Sequence, residues 1–61
     1  MMATKSVEAD RNKLRAMELA RRAGAEGDEI GVVAHTMLAK GRISSEQAVF
    51  ELRRIDSMNR G

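Results

Sequence analysis

Residues 28–55 read DEIGVVAHTMLAKGRISSEQAVFELRRI, and the centre of that run, Gly41-Arg42-Ile43-Ser44-Ser45-Glu46-Gln47, decides the fold. Ahead of it, Ile30, Val33, Ala34, Met37 and Leu38 recur at i, i+3, i+4, i+7 and i+8, the spacing of a single apolar stripe on a helix. Gly41 stands where a helix ends in a left-handed residue, and Lys40 lies beside the last carbonyls, where positive charge is favoured. Ser44 then opens a second helix. Its hydroxyl can cap the backbone N–H groups of Glu46 and Gln47, Gln47 can reach back to the Ser44 amide, and Ile43 occupies the staple position before the cap. A stop signal followed within a few residues by a start signal predicts a helical hairpin, with helices over about 28–40 and 45–58.

On the last helix the same periodicity puts Ala48, Val49, Leu52, Ile55 and Met58 on an inner face, expected to meet Ile30, Val33, Met37 and Leu38. Phe50 falls about 100° round the helix from Val49 and so lies off that stripe. With Arg53 and Arg54 beside it, Phe50 has the composition of a protein-binding hot spot. The alternative is a ring folded over the base of the first helix. Asn59-Arg60-Gly61 reads as an unstructured tail.

Working back towards the N-terminus, Gly24-Ala25-Glu26-Gly27 is a linker, and Asp28 is an N-cap or first-turn residue, with Glu29 adding negative charge at the positive end of the helix dipole. Gly31 in the first turn costs helix stability and implies either fraying or the close approach of another backbone. From Ser6 to Ala23 there is neither Gly nor Pro, so a long first helix is expected, starting at Ser6 after a frayed lead-in from Met1 to Lys5. Glu8, Arg11, Arg15, Glu18 and Arg22 share one side of it, where Arg15 can pair with Glu18 and Glu18 with Arg22. Ala9, Ala16, Ala20 and Ala23, with Met17 and Leu19 at the edges, form the other side, while Val7 and Leu14 sit off that stripe. Such a helix suits the third member of a small bundle, the seam of a homodimer, or a surface that docks onto a larger protein. The expected fold is therefore all-α: a single small three-helix domain over residues 1–61, a long first helix followed by the hairpin.

Composition sets the limits on function. The chain has 61 residues, no cysteine and one aromatic side chain, so neither disulfides nor a large core can stabilise it. Much of its apolar content is alanine, and five residues are methionine, which fills space without specifying a rigid interior. A partner is expected, either a larger protein or a second copy. Its 11 basic and 9 acidic residues are interspersed, and the net charge of +2 does not demand a polyanion. There is no apolar run of membrane-spanning length and no secretory h-region, which favours a cytoplasmic protein without a membrane partner.

Catalytic chemistry has no candidate. His35 is the only histidine, falls opposite the apolar stripe, and has no cysteine or second imidazole with which to hold zinc. Ser44 and Ser45 are accounted for by capping and lack an activating base. No metal, cofactor or enzymatic activity is expected. Two helices joined by a short turn invite comparison with helix-turn-helix DNA-binding proteins, and Arg42, Arg53, Arg54 and Arg60 could contact phosphate. However, Ser45-Glu46-Gln47 occupies the end of the helix that would enter the groove, and Glu46 and Glu51 oppose the arginines.

The stretch from Gly27 to Ile55, above all VVAHTMLAKGRISSEQAVFELRRI within it, resembles the short antitoxins of the VbhA type, small three-helix proteins that bind and silence a Fic-domain adenylyltransferase. The likeness lies in a helix ending in glycine, a short turn with Ile and Ser, and a last helix of acidic and apolar residues. In that family a Ser or Thr, three residues and then Glu-Gly or Glu-Asn close the first helix, and the glutamate contacts an arginine needed for productive ATP binding. Here the resemblance places that glutamate at Glu26, before Gly27, with Arg22 where the hydroxyl would be; alignment on the spacing to Gly41 puts Ala23-Gly24 there instead. The expected function is that of a small non-enzymatic regulator, antitoxin- or inhibitor-like, which binds and modulates a larger protein, such as a Fic-domain toxin, through Arg15, Glu18, Arg22, Glu26, Phe50 and Arg54. The alternative is a small DNA-binding or nucleoid-type homodimer.

Overall fold

A computed structural model describes the backbone of residues 3–60 and the side chains of residues 8–59. Among the described residues the chain forms three helices and no strand: α1 (Ala3–Ala23), α2 (Asp28–Lys40) and α3 (Ser45–Arg60). The long first helix packs against a hairpin of the second and third, as the periodicity predicts.

The ends of the helices are set by local chemistry. Gly41 is left-handed (φ 69°), its N–H donates to the Leu38 carbonyl, and the Arg42 N–H donates to the Met37 carbonyl, which together form the Schellman arrangement. α1 ends the same way: Gly24 has φ 108°, its N–H donates to the Arg21 carbonyl, and the Ala25 N–H donates to the Ala20 carbonyl. Ala25, the residue after this glycine, is buried in the core. At the start of α3 the Ser44 hydroxyl accepts from the Gln47 N–H at 3.1 Å. The reciprocal half of the expected capping box is not formed, because the Gln47 side chain turns to Glu51 instead. Asp28 is a first-turn residue; α2 follows Gly27 with no side-chain cap, and the Glu29 carboxylate accepts from the Glu26 N–H at 3.2 Å.

Several boundaries and faces differ from the sequence reading. α1 starts at Ala3, so Ser6 lies inside the helix and residues 3–5 of the expected lead-in are helical; with no Gly, Pro or competing turn, nothing stops propagation towards the N-terminus. Met1 and Met2 lie outside the described residues. Asn59 and Arg60 belong to α3 rather than to a tail, while Gly61 lies outside the described residues. No atom approaches the space a Cβ would fill at Gly31, so this glycine does not serve a close backbone contact.

The core consists of Ala16, Leu19 and Ala20 from α1, Ala25 from the loop after it, Val33, Ala34 and Met37 from α2, and Ala48 and Leu52 from α3. Met17, Ala23, Ile30, Leu38, Ile43 and Ile55 close round it half-buried. Ala9, placed on the alanine stripe by the sequence, is exposed because the hairpin does not reach it. Val49 and Met58 were expected on the inner face of α3 and are exposed, Met58 at 74%. The buried stripe of α3 runs through Ala48, Leu52 and Ile55, and its neighbour towards α2 is Glu51, not an apolar residue.

Short loops make α2 antiparallel to each neighbour, so α1 and α3 run the same way. A Cβ on Gly24 would sit 3.7 Å from Leu52 Cδ2, which places the end of α1 beside the middle of α3. The two parallel helices are therefore offset. The last two turns of α3, with Met58, pass beyond α1 at one end, and the first half of α1 projects beyond the turn of the hairpin at the other. The extents of 47 × 19 × 17 Å record that offset, since α1 alone accounts for about 30 Å at 1.5 Å per residue.

Candidate docking surface

From Glu8 to Arg15 every residue of α1 is exposed, including Leu14 at 67%. Burial begins at Ala16, where the hairpin first covers the helix. This half of α1 is helical because its residues favour the conformation and because it continues a packed segment, not because a neighbour holds it. The whole chain exposes 4903 Å², whereas a compact monomer of 6.7 kDa would expose only about 3,900 Å² by the usual scaling of surface with mass.

Arg15, Glu18 and Arg22 are exposed and share one side of α1, as the wheel predicts. Glu18 accepts from Arg22 Nη2 at 2.8 Å and is not paired with Arg15. Both side chains of this pair are largely in water, so it adds only a few tenths of a kcal/mol. Glu26 follows in the exposed loop. Among the described residues nothing bonds to its carboxylate; its backbone accepts from the Glu29 N–H and donates to the Glu29 carboxylate, which fixes the loop.

On α3, Phe50 is 57% exposed and does not cover the first helix. Its ring lies 5.9 Å from Lys40 Nζ, a cation–π distance, and it borders an open groove of about 700 Å³ with Lys40, Arg42, Ser44, Glu46 and Gln47. Arg54, one turn further on, is tied to Glu51 at 3.2 Å. Among the described residues no hydrogen bond or ion pair joins the α1 row to Phe50 and Arg54.

Sequence reasoning missed Glu51, the one polar side chain buried among the described residues, at 3% exposure. Lys40 Nζ reaches it at 2.6 Å from the end of α2, Gln47 donates to the same oxygen, and Arg54 donates to the other. The hydrogen bond from Lys40 is the largest influence on its acidity. That bond, the charges of Lys40 and Arg54 and the Gln47 amide together outweigh the opposing effect of burial and hold the carboxyl below the usual glutamate range. The signal available in the sequence was the spacing: Gln47 precedes Glu51 by four residues and Arg54 follows it by three.

His35 is exposed, as expected from its position opposite the stripe. Among the described residues no group of three or more His, Cys, Asp or Glu side chains is arranged to hold a metal ion, and no helix is long and apolar enough to cross a membrane. Comparisons of the chain with protein-family models, with curated proteins and with solved structures found no match.

Proposed function

We propose that this chain is a small non-enzymatic regulatory protein that binds and modulates a larger protein, acting in the cytoplasm in the manner of an antitoxin or inhibitor. The docking surface runs from Arg15 through Glu18 and Arg22 to Glu26, with Phe50 and Arg54 as a second point of contact.

The observation that supports this reading is the surplus of surface. The chain exposes 4903 Å², about 1,000 Å² more than a compact monomer of its mass, and a protein gives up about 800 Å² in a standard interface. Residues 8–15 of the first helix project exposed past the hairpin, and Glu18 and Arg22 continue the exposed row to Glu26. The carboxylate of Glu26 at the close of that helix fits the role that the resemblance to VbhA-type antitoxins implies for it, with a Fic-domain adenylyltransferase as the partner.

Tagged chain recovered from cells that naturally produce it should bring down one larger protein at constant stoichiometry. Arg22→Glu and Phe50→Ala should each lower that recovery at least tenfold while leaving the circular dichroism spectrum unchanged. Recovery of the chain alone, or of a complex that neither substitution weakens, would overturn the proposal. Addition of the chain to a purified Fic-domain adenylyltransferase tests the narrower version, in which Glu26→Ala should restore nucleotide transfer.

A further inference from the structure

We infer that the projecting half of α1 pairs with the same segment of a second copy of the chain, antiparallel and about a two-fold axis. This goes beyond the docking reading and does not depend on it. Residues 8–15 read EADRNKLR, with acidic Glu8 and Asp10 ahead of basic Lys13 and Arg15, and all four side chains are exposed.

The order of these charges selects the arrangement. Glu8 and Arg15 are seven residues apart and share one flank of the helix; Asp10 and Lys13 are three apart and share the other. In an antiparallel pair a two-fold axis sets each flank against the same flank of the copy. One register then brings Glu8 level with Arg15 and Asp10 level with Lys13, twice each, so these eight charges face opposite charges. Arg11 lies close to the axis, where the two-fold sets it against Arg11 of the copy, and each can bond back to Glu8, three residues earlier on its own helix, which offsets that repulsion.

Leu14 stands between the two flanks at 67% exposure, and the paired face is otherwise polar. It is also about 160° round the axis from Ala16, where the hairpin begins to cover α1. The two hairpins therefore sit on the outer sides of the pair and do not obstruct it. Glu26 and the groove at Phe50 lie beyond the paired segment and stay free.

Sedimentation equilibrium on the full chain, over micromolar to millimolar concentration, tests this directly. The wild-type chain should reach twice its single-chain mass. Lys13→Glu and Asp10→Lys, each alone, should reduce the mass twofold by setting like charges opposite each other. Mixing the two variants should restore the doubled mass, since every pair is again of opposite sign. Circular dichroism of each variant checks that the helices persist, and an unfolded variant could not give the restoration. A wild-type chain of single mass at all concentrations, a doubled mass that survives either substitution, or a mixture that stays at single mass would each overturn the inference.

Discussion

Glu51 is the residue through which one side chain ties two helices together. Lys40 at the end of α2 and Arg54 on α3 both reach it, and the carboxylate is buried while each cation keeps roughly half its surface in water. Removing the carboxylate strips the hairpin of its polar clasp, but the two cations recover hydration, which limits the cost. Glu51→Ala is expected to destabilise the chain by about 2 kcal/mol, read from denaturant midpoints. The pH dependence follows from the lowered pKa. The unfolded chain binds this proton more readily than the folded one, so the contribution is complete above the ordinary glutamate range and is lost as pH falls through the lowered value. Stability of the wild-type chain should therefore drop in acid more steeply than that of Glu51→Gln; equal slopes would show that Glu51 is not the group responsible. Gly31 gives the opposite prediction. It is a helical residue with open space at its Cβ, so Gly31→Ala should raise stability by about 0.5–1 kcal/mol, and a loss would show that another backbone comes close.

At the scale of the element, most of the architecture is set by signals a few residues long. The Gly41 and Ser44 signals are local, and the structure places the hydrogen bonds where those residues imply. Ser44→Ala should cost about 1 kcal/mol in thermal or denaturant unfolding, and Ser44→Asp should recover most of it. Such signals are legible in a sequence because they depend on backbone chemistry alone. The inner face of α3 was legible only in part. Ala48, Leu52 and Ile55 follow the stripe, but Val49 and Met58 are equally apolar and face solvent. Their exposure depends on where α1 ends and how the hairpin is rotated, which no periodicity within α3 encodes. Glu51 was hidden for the converse reason: its burial depends on Lys40, eleven positions away on another helix. Of the expected site residues, those on α1 were legible because exposure on a charged face follows from the wheel. That Phe50 stands open beside Lys40, and not over α1, required the packing.

For the molecule as a whole, the offset between α1 and the hairpin matters more than any single contact. A core built largely of alanine, with Met37 and Val33 its largest fully buried side chains, secures only the second half of α1. The first half extends the helix past the body of the protein and presents charge on both flanks with Leu14 between them. A binding role and self-association both draw on this shape. Amide hydrogen exchange on the 61-residue chain, at a concentration low enough to keep it dissociated, tests that shape most directly. Amides of residues 8–15 should exchange at least tenfold faster than those of residues 16–23, because only the latter open with the core. Equal protection along the whole of α1 in the dissociated chain would contradict the account, since the first half of the helix would then be held by the chain's own fold.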